Sequence, residues 1–181
     1  MPNHITKVIE RYISTDDTVL DICSGIGNVT DTLKVKKMTV VDIFKPYLDV
    51  FKQKRPDIEI VELDVKNIMT IFSRDSFDIV MCLDGIEHLY LPDSIRLIEN
   101  MELIARKKIL IFTPEAITGE ILPNFIHNAW GINGGDEYQT HKSGFKRDFF
   151  EKRKYKIIEV NVYSVYREML YVFDKSCENN V

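Results

Sequence analysis

The chain has 181 residues, a length that suits one domain with a full hydrophobic core. Hydrophobic residues make up 45% and charged residues 29%, and the formal net charge is −4. A net negative charge argues against nucleic acid as the substrate, because phosphate binding favours a basic surface.

Cysteine content and hydropathy argue against a disulfide-rich, zinc-binding or membrane protein. The three cysteines, Cys23, Cys82 and Cys177, are too few for a disulfide framework and lack the spacing of a zinc site, so no metal is predicted. No apolar run approaches the roughly 18 residues of a membrane span, and the first residues do not resemble a signal segment. We therefore expect a cytoplasmic protein that does not contact a membrane.

From His4 to Phe112, hydrophobic periodicity predicts helices and strands in alternation. The predicted helices are His4–Ile13, Asn28–Leu33, Phe44–Lys54 and Pro92–Ile104, with a weak helix or turn at Asn67–Phe72. The predicted strands are Thr18–Ile22, Lys37–Val41, Ile58–Leu63, Phe77–Cys82 and Lys107–Phe112. This alternation predicts a parallel sheet with right-handed crossovers.

The alternation stops at Thr113. The next thirty or so residues, to Gly144, are rich in proline and glycine, and loops of that length are typical of lids or binding segments. A short helix is predicted inside this segment at Glu120–Trp130, and another helix follows from Ser143 to Arg153. The last two strands, Tyr155–Tyr163 and Glu168–Phe173, are too close in sequence for a crossover helix, so they must pair antiparallel.

Chemistry-bearing residues cluster just after the predicted strands, where open parallel sheets bind their ligands. An acid lies at or just after the end of each of the first four strands. Asp21 lies at the end of the first strand, and Asp42, Asp64 and Asp84 follow the second, third and fourth. Gly25 and Gly27 form the first turn. No lysine or arginine appears at these strand ends, which disfavours a phosphate-bearing ligand and favours one with a diol, an amine or a cation.

These motifs resemble those of the class I S-adenosylmethionine-dependent methyltransferases. Asp21-Ile22-Cys23-Ser24-Gly25-Ile26-Gly27 matches the first motif of that family, and Phe77 to Leu89 resembles the fourth motif of its small-molecule branch. The resemblance implies a three-layer αβα sandwich around a seven-stranded, mostly parallel sheet in the order 3-2-1-4-5-7-6, with an antiparallel last strand. It also implies one domain over residues 1–181, with a substrate lid at 114–144.

The resemblance implies a site for S-adenosylmethionine at specific positions. Asp21, Gly25 and Gly27 correspond to the motif that faces the methionine part, and Cys23 replaces its first glycine. Asp42, followed by Ile43, matches the acid that holds the ribose. Asp64 and Val65 match the positions beside the adenine, and Leu83 would approach the adenosyl group through its backbone.

The candidate catalytic residues are His141, Tyr138 and His88. A base is needed only where the methyl acceptor must lose a proton, as a hydroxyl must. His88 follows the fourth strand, whereas His141 and Tyr138 lie in the long segment. Each has a plain structural alternative as an anchor of a turn or loop. His127 and Trp130 are interpreted as packing residues of the lid, although an aromatic ring could also face a sulfonium.

Two other functions stay open from the sequence. A nicotinamide-dependent oxidoreductase is one, because Gly25 to Thr30 nearly matches the dinucleotide fingerprint, with Thr30 in place of the third glycine. A non-catalytic module that binds S-adenosylmethionine is the other. The short segment before the first strand favours a small-molecule methyl acceptor, whose site could be completed by a second subunit in a homodimer.

Overall fold

The computed structural model describes residues 4–116, 129–162 and 167–176. Seven strands form a single sheet: β1 Thr18–Ile22, β2 Lys37–Asp42, β3 Glu59–Glu62, β4 Phe77–Leu83, β5 Ala105–Glu115, β6 Lys156–Val162 and β7 Arg167–Asp174. Their spatial order is β3-β2-β1-β4-β5-β7-β6. The predicted strand order is therefore confirmed.

The direction of the strands is confirmed as well. β1 to β5 are mutually parallel, whereas β7 runs antiparallel to both of its neighbours, β5 and β6. The reversal brings the beginning of β7 to the edge at which β5 ends, where Glu168 pairs with Pro114. One edge of the sheet thus collects the ends of β1 to β5 and the start of β7.

Helices cover both faces of this sheet. They are α1 His4–Ile9, α2 Lys45–Lys54, α3 Leu91–Ile104, α4 Asp136–Gln139 and α5 Arg147–Lys152, with 3₁₀ turns at Glu10–Tyr12, Val65–Thr70, Ile86–His88 and Ala129–Gly131. Successive residues of β1 face opposite cores: Val19 packs in the cluster that contains α1 and α2 residues, and Leu20 in the cluster that contains α3 and α5 residues. This arrangement is the predicted αβα sandwich.

The helix predicted at Asn28–Leu33 is wrong. The chain instead makes successive turns, in which the N–H groups of Thr30 and Asp31 both donate to the carbonyl of Gly27. Gly27 itself is left-handed, with φ 75°, so it cannot start a right-handed helix. The turn that leaves β1 is therefore an irregular coil, and the first regular helix after it is α2.

The long segment after β5 begins later than predicted. β5 continues through Pro114 to Glu115, because β7 pairs with it along that whole length. The following helix also begins later, at Arg147, because Phe145 forms a bridge with Glu115 at the sheet and its carbonyl accepts from the N–H of Ala116. Most of the predicted helix Glu120–Trp130, including His127, lies outside the described residues. Cys177 also lies outside them.

The length and hydropathy of the helices were compared with those of membrane spans. Within residues 4–116, 129–162 and 167–176, each helix is too short or too polar to span a lipid bilayer.

Candidate functional site

A cavity of about 790 Å³ opens at the carboxyl edge of the sheet. Its size lies in the range of small-molecule binding sites. All the predicted site residues except Gly27 line it: Asp21, Cys23, Gly25, Asp42, Ile43, Asp64, Val65, Leu83, His88, Tyr138 and His141. The cavity therefore joins the predicted cofactor positions and the predicted catalytic positions in one space.

Three left-handed residues shape the turn after β1. Cys23, Gly25 and Gly27 have φ values of 56°, 53° and 75°. Gly27 lies behind the cavity wall, where an added Cβ would come within 2.5 Å of the Phe51 ring carbons. Gly27 is thus needed for packing against α2. Cys23 takes a conformation that favours glycine, which explains why glycine is the ordinary residue at this position of the motif.

The thiols of Cys23 and Cys82 meet behind this turn. Their hydrogen bond is the main cause that raises the pKa of Cys82, and burial raises that pKa further. Gly85 packs on the pair so tightly that an added Cβ would lie 2.7 Å from the Cys82 sulfur. The neighbouring ends of β1 and β4 bring the two cysteines together.

Asp42 ties the first two turns of the cavity together. Its Oδ2 accepts from the backbone N–H of Gly25 at 2.9 Å, and its Oδ1 accepts from the N–H of Phe44 at 2.9 Å. Burial raises the pKa of Asp42, whereas these backbone hydrogen bonds lower it. Two carboxylate oxygens have more lone pairs than these backbone donors fill, so a hydroxyl in the cavity has an acceptor to bind.

Asp21 is the most buried acid of the cavity. Its side chain is 2% exposed, and its Oδ2 accepts from the hydroxyl of Thr30 at 2.7 Å. Burial raises the pKa of Asp21 to about 7; the Thr30 hydrogen bond opposes this shift and the nearby Asp42 adds to it. Near neutral pH this carboxyl is poised between its two protonation states, and a bound cation would favour the ionised one.

A lysine stands at the third strand end, where no cation was expected. Lys66 lines the cavity, and its ammonium pairs with Asp64 at 3.2 Å. Asp64 also caps the 3₁₀ turn after β3 by accepting from the N–H of Lys66 at 3.0 Å. The expectation of no cation at the strand ends is therefore wrong at β3, where the lysine pairs with Asp64.

Aromatic residues from the long segment cover the glycine turn. The Trp130 indole lies against Gly25, where an added Cβ would be 3.0 Å from the ring. Trp130 also packs edge-on against Tyr47, with ring centroids 4.9 Å apart, and Tyr138 lies beside Phe44 at 5.6 Å. Sequence reasoning placed Trp130 at the sheet edge and missed its contact with Gly25. It also missed Phe44 and Tyr47, although both lie within five residues after Asp42, the acid of β2.

The opposite wall of the cavity is built on the 3₁₀ turn after β4. The carbonyl of Glu87 accepts from the backbone N–H groups of Lys142 and Ser143, at 2.7 and 3.0 Å. These two bonds place His141 beside His88, with ring centroids 5.0 Å apart. The Oε2 of Glu87 accepts from the Thr113 hydroxyl at 3.0 Å. Sequence reasoning treated the two histidines separately and gave Glu87 no role beyond orienting the turn.

Protonation states differ along this wall. Burial raises the pKa of Glu87 to about 8, with a further contribution from the charge of Asp84. Burial and the neighbouring His141 lower the pKa of His88 to about 4, so His88 is neutral at pH 7. Hydrogen bonding to Glu137 raises the pKa of Tyr138, which therefore keeps its proton. Neither His88 nor Tyr138 is thus suited to act as a strong base at neutral pH.

Acidic side chains dominate the described lining. They are Asp21, Asp42, Asp64, Asp84, Glu87, Asp93 and Glu168, against the lysines Lys66 and Lys142. Glu168 was missed in the sequence, although the antiparallel direction of β7 was the signal that its first residues reach this edge. The hydroxyl of Ser24 is buried in the same lining and has no hydrogen-bond partner among the described residues. The site suits a ligand with cationic character and a polar group near Ser24.

Comparison with known proteins agrees with this fold. A family model described as a methyltransferase domain matches residues 19–108. No curated protein matches the chain at a significant level. The family match covers β1 to the first part of β5, which includes every predicted cofactor position.

Solved structures with the same fold are distant in sequence. A candidate methyltransferase from Bacillus halodurans C-125 is 17% identical, with a TM-score of 0.65 over 96% of this chain and 99% of that one. The 1,6-didemethyltoxoflavin-N1-methyltransferase of Burkholderia thailandensis, solved with S-adenosylhomocysteine, is 14% identical, with a TM-score of 0.69 over 94% of this chain and 76% of that one. The magnesium protoporphyrin IX methyltransferase of Synechocystis PCC 6803, also solved with S-adenosylhomocysteine, is 13% identical, with a TM-score of 0.63 over 94% of this chain and 80% of that one.

Proposed function

We propose that this chain, which matches a methyltransferase domain over residues 19–108 and has the strand order expected of the class I methyltransferases, transfers the methyl group of S-adenosylmethionine to a small molecule. One observation carries the proposal. The glycine turn and the acids Asp21 and Asp42 line the same cavity at the carboxyl edge of the sheet, and the N–H of Gly25 donates to Asp42. Two of the solved structures with this fold hold S-adenosylhomocysteine.

The described residues fit such a cofactor. The carboxylate of Asp42 would accept from the ribose hydroxyls, and Asp64 and Val65, which line the same cavity after β3, would lie beside the adenine. The buried hydroxyl of Ser24 offers a donor to a carboxylate, and Asp21 offers an acceptor to an ammonium. When bound, the cofactor supplies a methyl group that its sulfonium has already activated, so the chain mainly has to align the acceptor.

The acceptor would lie between the glycine turn and the wall formed by Glu87, His88 and His141. We propose that part of the segment 114–144 covers it, since Trp130, Tyr138 and His141 of this segment line the cavity. The two methyltransferases compared above are named for small molecules, 1,6-didemethyltoxoflavin and magnesium protoporphyrin IX. A homodimer could complete the cover.

A nicotinamide cofactor fits the same cavity poorly. Its pyrophosphate needs a cation or a free helix N-terminus, whereas seven acids outnumber Lys66 and Lys142 in the described lining, Lys66 is paired with Asp64, and the glycine turn continues into coil. Thr30, in the place of the third glycine of the dinucleotide fingerprint, donates its hydroxyl to Asp21.

Calorimetry tests the cofactor, and a methyl-transfer screen tests the reaction. We expect S-adenosylhomocysteine to bind one site per chain and NAD not to bind. Binding of NAD without S-adenosylhomocysteine would overturn the proposal. Tight cofactor binding with no transfer to any of a broad panel of hydroxyl, amine and thiol compounds would favour a non-catalytic binding module.

A further inference from the structure

The side chains of Glu87, His88 and His141 form a cluster with the composition of a metal site. Each offers one ligand atom, and the three atoms all lie within 4.8 Å of one another. We propose that this cluster binds one divalent transition-metal ion, of the Zn²⁺, Mn²⁺ or Fe²⁺ class, at the acceptor end of the cavity. The binding itself does not depend on the proposed methyltransferase function.

The donor set selects the class of ion. Two imidazoles and one carboxylate suit first-row transition ions, whereas Mg²⁺ and Ca²⁺ prefer oxygen donors alone. Metal–ligand bonds of about 2.1 Å place two donors no more than about 4.2 Å apart, so the side chains close slightly around an ion. Three protein ligands leave coordination positions for water or a substrate, as in catalytic metal sites.

Hydrogen bonds support the cluster at Glu87 and beside His141. The Thr113 hydroxyl donates to Oε2 of Glu87 at 3.0 Å, which orients the carboxylate in the way that outer partners orient metal ligands. The backbone N–H groups of Lys142 and Ser143 donate to the carbonyl of Glu87, which fixes the position of His141 relative to His88. The hydroxyl of Ser143 also donates to the carbonyl of Ile86 at 3.2 Å.

The partly buried ring of His88 supplies an independent observation. Its Nδ1 is buried, and it has no hydrogen-bond partner among the described residues. A buried polar atom without a partner is costly, and coordination of an ion would satisfy it. Asp84, on the same turn, brings a second carboxyl group near Glu87.

An ion here would act on the methyl acceptor, a role that does rest on the proposed function. The open positions face the cavity that also contains the cofactor residues Asp42 and Leu83. A hydroxyl of the acceptor would form a bond to the ion through its oxygen and release its proton to water, because a bound cation lowers the pKa of its ligand. The acceptor class is therefore a hydroxyl compound: its deprotonated oxygen would form the bond to the methyl carbon while the sulfonium–methyl bond breaks and S-adenosylhomocysteine leaves.

Metal binding is measured on the full, tag-free chain after treatment with a chelator. We expect calorimetry with Zn²⁺ to give one ion per chain, and Co²⁺ to give visible absorption bands of an imidazole-containing site. His141→Ala, His88→Ala and Glu87→Gln should each weaken Zn²⁺ binding at least tenfold. His4→Ala is the matched control, since His4 is exposed on α1 and should leave the affinity unchanged.

A rescue variant separates ligation from folding. His141→Cys offers a thiolate to Zn²⁺, so it should restore binding that His141→Ala loses, while circular dichroism and the melting temperature match in the two variants. Absence of Zn²⁺ and Co²⁺ binding to the wild-type chain, or equal affinity in all variants, would overturn the inference. Binding of S-adenosylhomocysteine by the same metal-free protein is measured in parallel, so that loss of the metal site is distinguished from failure of the proposed function.

Discussion

The carboxylate of Asp42 accepts a hydrogen bond from the backbone N–H of Gly25 at 2.9 Å, across 17 residues of sequence. The bond links the turn after β2 to the turn after β1, and the second oxygen accepts from the N–H of Phe44. Asp42 therefore shapes the proposed cofactor site before any ligand arrives. Removing its side chain would loosen both turns and remove the proposed ribose partner at once.

We expect Asp42→Ala to weaken binding of S-adenosylhomocysteine by more than tenfold in calorimetry. Asp42→Asn should weaken it as well, because its amide NH₂ would face one of the two backbone donors. Asp49→Ala, on the exposed face of α2, removes the same charge outside the cavity and should not change the affinity. Unchanged affinity in Asp42→Ala would place the ribose elsewhere.

Asp21 gives the fold a specific dependence on pH. Its pKa is raised from 3.8 to about 7 by burial, so between these values the folded chain holds more protons than the unfolded chain. The contribution of Asp21 to the free energy of unfolding therefore falls as the pH rises from about 4 to 7, and is constant above. Asp21→Asn removes this titration and keeps an acceptor for Thr30.

The melting temperature of Asp21→Asn should exceed that of the wild type by several degrees at pH 8, and the difference should shrink toward pH 4. The same variant should bind S-adenosylhomocysteine more weakly, because it lacks a charge for the ligand's ammonium. A difference in melting temperature that stays constant over this pH range would show that the carboxyl is ionised throughout.

The sheet and the acids at its edge were predictable because both follow from local patterns. A buried strand is read from its apolar run, and parallel strands necessarily bring their following residues to one edge. Asp21, Asp42 and Asp64 could therefore be placed in one cavity without any knowledge of tertiary contacts.

The proximity of His88 to His141 was not predictable in this way. It depends on backbone N–H groups of Lys142 and Ser143 that donate to the carbonyl of Glu87, and backbone hydrogen bonds leave no trace in the choice of side chains. The incorrect helix at Asn28–Leu33 has a related cause, because the positive φ of Gly25 and Gly27 set the path of the chain beyond them.

Cys23 allows the cost of its backbone conformation to be measured. At φ 56°, glycine is more favourable than alanine, so Cys23→Gly should be more stable than Cys23→Ala by about 1 kcal/mol in urea denaturation. Cys82 is the control, since it lies within β4, where alanine is favoured over glycine. The order of stability should therefore reverse at Cys82. The same order at both positions would mean that packing, and not φ, decides the stability at Cys23.

Trp130 provides a direct optical test of the proposed cofactor site. It is the single tryptophan of the chain, it is 47% exposed, and its indole lies against Gly25 and Tyr47 at the cavity wall. A ligand that enters the glycine turn must contact the indole or move it, and either event changes its exposure to water.

We therefore expect S-adenosylhomocysteine to change the tryptophan emission in a saturable way, with the dissociation constant found by calorimetry. NAD should leave the emission unchanged, and the Asp42→Ala variant should need more than tenfold more ligand for the same change. Gly25→Ala should alter the emission of the free protein, because its Cβ would press on the ring at 3.0 Å. If calorimetry reports binding and the emission does not respond, the ligand does not occupy the glycine turn, and the site must lie closer to the wall of Glu87 and His88.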